Sequence, residues 1–246
     1  MQMYDLFLTH EHSRLIASIL TRFNSNILSY LLTYFRKNQS LSILEIGPGK
    51  GYFYRATRKY PRITYYAFDR NITILKNLHI TRIYLGEAPK LINFKKKFHV
   101  IYIAYVIEHL QDGVAVYELI KNCKKYLYPG SIIVMLAPNT MSQGMEFWNE
   151  DYTHTYPTTK RNVAMAFADN GMTDLTVLDF NDMALWLASN PVLWKWIAVT
   201  CKIIFYFFNY RAFHLLTNQK EYDLNSFFYR LYLFCKAQNI LFVARS

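Results

Sequence analysis

The sequence predicts a Rossmann-like α/β fold, and three observations support this prediction. Short apolar runs alternate along the chain with segments that have helical periodicity. The first such run, 42–46, leads directly into a glycine-rich turn at 47–51. The run 98–104 is almost continuously apolar, which is typical of a strand that is buried on both faces. Strands that alternate with helices form a parallel sheet with helices on both of its faces.

The elements follow in order from apolar periodicity and turn residues. Apolar side chains three and four positions apart predict a helix over 8–36, so residues 1–40 form an N-terminal helical segment. Pro129-Gly130 predicts a turn before the fifth strand. We expect a core of 41–180 and 239–246, with strands at 42–46, 63–68, 81–85, 98–104, 131–137, 175–180 and 240–244 and helices at 52–60, 112–126 and 163–169.

Composition excludes several protein classes. The three cysteines are odd in number and far apart, so they do not form a disulfide framework, and 8 Gly and 7 Pro exclude a collagen-like or low-complexity chain. The first residues lack a basic segment followed by an apolar one, so no secretory signal is expected. We therefore expect a cytoplasmic protein.

The positive charge is concentrated in one block. Of the net +11, residues 50–97 carry +10, because twelve Lys and Arg residues there are opposed only by Asp69 and Glu87. Such a block is either a set of solvated faces or a surface for an anionic partner. Nucleic acid, an anionic membrane surface and a phosphorylated substrate all remain open.

The glycine-rich turn predicts a nucleoside-binding edge of the sheet. A dinucleotide motif of the type G-x-G-x-x-G requires a third glycine at position 52, where the chain has Tyr52. The spacing is instead G-x-G-x-G, preceded by Glu45. Asp69 ends the second strand, where a carboxylate can accept hydrogen bonds from both hydroxyls of a ribose.

These segments resemble the class I S-adenosylmethionine-dependent methyltransferases from about residue 40 to 171 and at the last strand. The matching stretches are ILEIGPGKGYF at 43–53, YYAFDRN at 65–71, YLGEAPKL at 84–91, HVIYIAYVIEHLQD at 99–112 and LYPGSIIVMLAPN at 127–139. The resemblance implies a seven-stranded sheet with an antiparallel last strand, and S-adenosyl-L-methionine as the cofactor. The cofactor contacts that it implies are Glu45, Gly47, Gly49, Gly51, Asp69, Arg70, Glu87, Ala88, Ala104 and Tyr105.

The Glu108-His109 pair raises the question of a metal. In the ubiquinone-type methyltransferases a Glu-x-x-Glu-His arrangement at this place is associated with a metal, but here Tyr105 replaces the first Glu. Two adjacent residues make a poor metal site without further ligands. We therefore expect no metal, and a role for the pair in packing or in lining the pocket.

The segment 146–157 follows the fifth strand and contains candidate catalytic residues. It resembles the D-x-T-H-x-x-P element of bacterial methyltransferases from gene clusters for cell-surface glycans and lipid-linked molecules. His154 is a candidate proton acceptor and Asp151 its companion; alternatively, the two pair to fix this loop over the pocket. Trp148, Tyr152 and Tyr156 either form an aromatic wall for an apolar substrate or are simply packed.

A long insertion, residues 181–238, separates the sixth strand from the last. It contains three of the four tryptophans, and its charged residues between 183 and 220 are all basic. Its apolar run at 192–208 is marginal for a membrane span, which needs about 20 apolar residues. We expect a helical insertion that serves as a lid, a dimer surface or a membrane-interface element.

Together, these features predict methyl transfer from S-adenosyl-L-methionine to a small, lipophilic, lipid-linked or glycan-precursor acceptor. The protein would then lie in the cytoplasm, with peripheral attachment to the inner face of the membrane. The alternatives are an RNA or other nucleic-acid methyltransferase, which no added RNA-binding module supports, and a non-catalytic partner subunit that binds the cofactor. The oligomeric state is left open.

Overall fold

The computed structural model describes residues 14–180 and 239–246, together with Trp196, Val199, Thr200 and Ile203. The strands within these residues are β1 (Leu41–Ile46), β2 (Ile63–Asp69), β3 (Ile83–Leu85), β4 (Phe98–Ala104), β5 (Leu127–Pro138), β6 (Thr173–Phe180) and β7 (Asn239–Arg245). They form one sheet in the order β3-β2-β1-β4-β5-β7-β6. Strands β1 to β5 pair in parallel, and β7 runs antiparallel to both β5 and β6. The predicted seven-stranded sheet with an antiparallel last strand is confirmed.

Helices connect the strands and lie on both faces of this sheet. They are α1 (Arg14–Leu32), α2 (Tyr52–Thr57), α3 (Ile72–Asn77), α4 (Gly113–Lys125), α5 (Thr140–Gln143), α6 (Glu146–Glu150) and α7 (Lys160–Asp169), with a 3₁₀ turn at Ile107–His109. Successive residues of β1 point to opposite faces, as strand geometry requires. Ile43 packs with Phe23 and Leu28 of α1, whereas Leu44 belongs to a second core with Leu119 of α4.

Several predicted boundaries differ from the structure by two to four residues: the helix predicted at 52–60 ends at Thr57, and the helix predicted at 163–169 begins at Lys160. The turn predicted within 127–138 is wrong. The turn predicted at Pro129-Gly130 lies inside β5, which begins at Leu127. The pairing of β4 with β5 shifts register between Phe98 and Val100, and Gly130 has a φ of 73°. The chain therefore bulges at these exposed residues and continues in the same strand, because the pairing resumes on the other side of the bulge.

Most of the predicted insertion, and residues 1–13 of the N-terminal segment, lie outside the described residues. Within 181–238, Trp196, Val199, Thr200 and Ile203 are helical, and all four are exposed. None of the helices in the described part of the chain is long and apolar enough to cross a membrane.

Candidate functional site

The carboxyl ends of the parallel strands meet at one edge of the sheet and carry most of the predicted site residues. After β1 the chain moves to β2 and β3 on one side, and it later returns to β4 and β5 on the other. The switch point, where ligands bind in such sheets, is therefore between β1 and β4. The glycine-rich turn 47–51 follows β1 at this point.

The glycines of this turn have different surroundings. Gly47, Gly49 and Gly51 all have positive φ, which favours glycine. A Cβ at Gly47 would lie 2.5 Å from Cγ2 of Val106, the second residue after β4. A Cβ at Gly49 would meet no atom within 4 Å. Gly47 is thus needed for packing, whereas Gly49 borders open space that a ligand can approach closely.

Glu45 lies beneath the turn, in the core on the α1 side of the sheet. Its carboxylate accepts a hydrogen bond from the hydroxyl of Tyr65. Burial raises the pKa of Glu45 to about 8, while the Tyr65 hydrogen bond opposes this shift and the charge of Asp69 adds to it. The structure therefore places this predicted cofactor residue in a buried pair with Tyr65.

Asp69 ends β2 at the same edge and is half-buried. Its Oδ1 accepts a 2.8 Å hydrogen bond from the backbone N–H of Asn71, the residue that caps α3. Burial raises the pKa of Asp69, and the hydrogen bond from Asn71 opposes this shift. Oδ1 is thus bonded to the start of α3. The position of Asp69 at the end of β2 fits a carboxylate that binds a ribose.

The other predicted cofactor residues lie at or just after the ends of β2, β3 and β4. Arg70 and Glu87 form an exposed ion pair, with 2.9 Å between Nη1 and Oε1. Ala88 and Ala104 are half-buried and pack against the two opposite cores. Tyr105 follows β4 with a φ of 54°, which is unusual for a non-glycine residue. Sequence reasoning missed this conformation, since tyrosine has no preference for it.

The loop 151–156 is fastened to the 3₁₀ turn after β4. The backbone N–H groups of Thr155 and Tyr156 donate to the carbonyl of Glu108 at 2.9 and 3.0 Å. The hydroxyl of Thr153 lies 2.7 Å from Oδ1 of Asp151 and 2.9 Å from Nδ1 of His109. The Asp151 side chain is thus bonded to Thr153 and linked to His109, instead of pairing with His154 as the sequence suggested.

His154 is held by a different partner. Its Nδ1 lies 2.5 Å from the carbonyl oxygen of Phe147, and its ring stacks on the Phe147 ring with centroids 4.7 Å apart. A carbonyl oxygen can only accept, so Nδ1 carries the hydrogen and Nε2 of the neutral ring keeps its lone pair. The His109 ring centroid lies 5.0 Å from that of His154.

Glu108 completes this group of side chains. It is 1% exposed, and its Oε2 has no hydrogen-bond partner. One ligand atom each from Glu108, His109 and His154 lie within 4.8 Å of one another. The expectation that no metal binds assumed that Glu108 and His109 have no further ligand nearby. The fold instead supplies His154 from a segment about 45 residues away.

Several exposed apolar side chains lie in the segment that leads into the loop that carries His154 and in the loop itself. Met141 is 79% exposed, Met145 77% and Tyr152 78%, and Trp148 is also exposed. Tyr156, which the sequence also offered as part of an aromatic wall, is buried and packs in the core instead. The apolar rim, as we call Met141, Met145, Trp148 and Tyr152, was only partly predicted because neither methionine belongs to a recognisable pattern.

Comparisons with known proteins agree with this architecture. The family model described as "Methyltransferase domain" matches residues 11–177. A search of curated proteins gives no match.

Among solved structures, a SAM-dependent methyltransferase from Archaeoglobus fulgidus is 17% identical, with a TM-score of 0.56 over 90% of this chain and 92% of that one. Phosphoethanolamine N-methyltransferase 2 from Haemonchus contortus is 14% identical, with a TM-score of 0.60 over 90% of this chain and 52% of the other. Geranyl diphosphate C-methyltransferase from Streptomyces coelicolor is 14% identical, with a TM-score of 0.56 over 96% and 85%. At these identities, the similarity to solved structures establishes the fold alone. The family model matches most of the chain, and this match shows that the protein belongs to the methyltransferase-domain family.

Proposed function

We propose that the protein transfers a methyl group from S-adenosyl-L-methionine to a lipophilic acceptor, such as a lipid-linked molecule or a glycan precursor. The family identifies the reaction as methyl transfer. The cofactor assignment is supported by the strand-end carboxylate of Asp69 and by the open space above Gly49. The reaction breaks the bond between the methyl carbon and sulfur as the acceptor attacks, so the site mainly has to align the two molecules.

The observation that carries the lipophilic acceptor is the apolar rim. A concentration of exposed apolar side chains on one segment can mark a binding site. Met141, Met145 and Tyr152 expose most of their area on the segment that also holds His154. The same fold serves a geranyl diphosphate C-methyltransferase, whose acceptor is an isoprenoid. An apolar acceptor would cover these side chains and bring its reactive atom towards the switch point.

His154 is our candidate for taking the proton that the acceptor loses. Its Nδ1 is held by the Phe147 carbonyl, which leaves Nε2 to receive a proton. Asp151 acts as a positioning residue, because it reaches His109 through Thr153 and makes no direct bond to the His154 ring. Hydrogen bonds from Thr153 hold the pKa of Asp151 below its usual value, although burial alone would raise it.

The insertion supports attachment to a membrane surface as a further part of this proposal. Trp196, Val199 and Ile203 are spaced three and four residues apart on a helix, so they share one face. Trp196 is 68% exposed and Ile203 63%. An exposed apolar helix face on a protein with a net charge of +11 suits an anionic lipid surface.

The acceptor class is tested by following labelled methyl groups from the cofactor into lipid and aqueous fractions of a cell extract. We expect the label in the lipid fraction. Replacing Met141 and Met145 with serine should raise the KM for the labelled acceptor with little change in cofactor affinity. Met165 on α7 is also an exposed methionine, outside the rim, and Met165→Ser is the matched control. Label confined to nucleic acid would overturn the proposal in favour of the alternative acceptor.

The role of His154 is tested with the acceptor identified in this way. His154→Ala should lower kcat about 10²–10⁴-fold and leave the affinity for S-adenosyl-L-methionine unchanged, because the ring acts on the acceptor side. If His154 only fastens the loop, the KM for the acceptor and the Tm should change more than kcat. Calorimetry with the cofactor and steady-state kinetics separate these outcomes.

A further inference from the structure

We infer that Glu108, His109 and His154 together bind a divalent transition-metal cation. This inference rests on the proposed function and replaces one part of it. The lone pair on Nε2 of His154 binds the cation, so His154 is then a ligand and no longer the group that takes the acceptor's proton. The three residues come from two segments, the 3₁₀ turn after β4 and the loop before α7. Their ligand atoms lie within 4.8 Å of one another, so small side-chain movements bring them to a common centre.

The first argument is the way His154 is held. Histidines that ligate a metal almost always donate the other ring N–H to a carbonyl, a carboxylate or water, which fixes the ring and its tautomer. Nδ1 of His154 makes this bond to the Phe147 carbonyl oxygen at 2.5 Å. The ring also stacks against the buried Phe147 side chain. Nε2 is therefore presented with its lone pair in a fixed direction.

His109 shows the same arrangement through a longer chain. The Thr153 hydroxyl lies 2.7 Å from Oδ1 of Asp151, to which it donates, so its oxygen is free to accept from Nδ1 of His109 at 2.9 Å. The backbone N–H of Thr153 also donates to Oδ1 of Asp151 at 2.8 Å, which fixes the carboxylate. The chain from Asp151 to Thr153 to His109 thus leaves Nε2 of His109 available as a ligand.

The buried carboxyl of Glu108 supplies an independent argument. Buried side-chain oxygens are nearly always hydrogen-bonded, and one without a partner requires an explanation. Oε2 of Glu108 has no partner although the residue is 1% exposed. A buried carboxylate is unfavourable without a compensating positive charge. A cation between Glu108 and the two imidazoles would provide that charge.

The three side chains form a ligand set that is known from other proteins. Two imidazoles and one carboxylate are the protein ligands of several catalytic zinc sites, in which a fourth position stays open for water or substrate. When bound, such a cation would act as a Lewis acid that lowers the pKa of an acceptor hydroxyl, whose proton would then pass to water.

The experiment measures binding of Zn²⁺ and Co²⁺ to the full-length protein after chelator treatment, without acceptor or cofactor. We expect one equivalent of Zn²⁺ per chain by equilibrium dialysis, and visible d–d absorption on loading with Co²⁺. His154→Ala and Glu108→Gln should each abolish stoichiometric binding. Thr153→Val keeps the shape but removes the hydroxyl that orients His109, and it should weaken the affinity about 10–100-fold.

His79→Asn is the matched control. His79 is exposed, lies outside the site and has a φ of 52°, a conformation that asparagine tolerates. This variant should bind Zn²⁺ like the wild type. Thermal unfolding and cofactor binding show that each variant is folded.

Three results would overturn the inference: no stoichiometric Zn²⁺ in the wild type, unchanged binding in both His154→Ala and Glu108→Gln, or a thiolate-to-cobalt charge-transfer band, which indicates cysteine ligands. A protein that binds no cation but still transfers methyl groups would refute the metal site and leave the proposed function intact. A protein that binds the cation without transferring methyl groups would support the metal site and refute the proposed function.

Discussion

At the scale of single residues, two glycines of the same turn have different roles: Gly47 is required for packing, whereas Gly49 leaves space for the ligand. Gly47 and Gly49 both have positive φ, so alanine at either position is strained by about 1–2 kcal/mol. Gly47→Ala would also place a Cβ 2.5 Å from Val106, so it should lower the Tm most. Gly49→Ala meets no protein atom, and it should instead weaken binding of S-adenosyl-L-methionine, with a larger effect for Gly49→Val.

Gly130 is the matched control for this pair. It has a φ of 73° and lies near the amino end of β5, whereas the glycine-rich turn lies at the carboxyl ends of the strands. An added Cβ at Gly130 would meet no atom within 4 Å. Gly130→Ala should therefore show the backbone cost alone, with unchanged cofactor affinity by calorimetry. Wild-type affinity in both Gly49 variants would show that the cofactor does not pass this turn.

Glu45 should make the stability of the protein depend on pH. Its pKa is about 8 in the folded protein, against 4.5 for an ordinary glutamate, with Tyr65, Tyr102 and Asp69 as its titratable neighbours. Between these values the folded state holds a proton that the unfolded chain has lost, so stability decreases as the pH rises. Glu45→Gln should match the wild type near pH 5 and exceed it above pH 8, by at most a few kcal/mol.

Denaturant unfolding of both proteins across this pH range tests the effect. Glu108 also has a pKa raised to about 8 by burial, but it is present in both proteins and so cancels in the comparison. Parallel stability curves for wild type and variant would show that Glu45 does not titrate as its burial requires.

At the scale of elements, the cap of α3 couples a short helix to the cofactor site. The Asn71 side chain accepts hydrogen bonds from Thr73 and Ile74, and its backbone N–H donates to Asp69. Asn71→Ala should cost about 1 kcal/mol of stability, as the loss of such a cap usually does. It should also lower cofactor affinity. The backbone N–H at position 71 still donates to Asp69, but without the cap it is held less firmly.

Asp112→Ala is the comparison for this prediction. Asp112 caps α4 by accepting from the N–H of Ala115, away from Asp69. Its loss should cost a similar amount of stability and leave cofactor binding unchanged. Equal affinities in the two variants would mean that the α3 cap does not contribute to the ribose site.

Among the elements, the strands with a continuous apolar run were predicted most accurately. Continuous apolar runs predicted β1, β2 and β4 to within one residue at each end, because a strand buried on both faces needs such a run. Helices α3, α5 and α6 were not predicted, because four to six residues are too few for periodicity to appear. Helix α2 is equally short, but the glycine-rich turn before it indicated where it begins. At β5, Pro129-Gly130 predicted a turn, but pairing with β4 overrides this local preference.

At the scale of the whole molecule, the site depends on contacts that no local pattern reveals. Asp69 and the glycine turn were predicted because each ends a strand, and strand ends share one edge of the sheet. The approach of His154 to His109 depends instead on how loop 151–156 folds onto the 3₁₀ turn, through bonds to the Glu108 and Leu110 carbonyls. The sequence showed the residue types, and only the fold showed which of them meet.

The last prediction concerns how the whole molecule meets a membrane. Apolar contact at the helix face of Trp196, Val199 and Ile203 should persist in high salt, whereas attraction between the net charge of +11 and anionic lipid should be screened. In co-sedimentation with anionic vesicles, we therefore expect high salt to weaken binding without abolishing it. Trp196→Ser with Ile203→Ser should release the protein at any salt, because charge alone then remains and is weak.

Val114→Ser provides the control, since Val114 is an equally exposed apolar residue on α4, at 65%. It should bind vesicles like the wild type. If the helix face covers the site as a lid, the Trp196 and Ile203 changes should lower turnover of a water-soluble acceptor and leave vesicle binding unaltered. If the wild type stays in the supernatant with both anionic and neutral vesicles, the face does not bind lipid, and a lid or a contact between chains accounts for its exposed side chains.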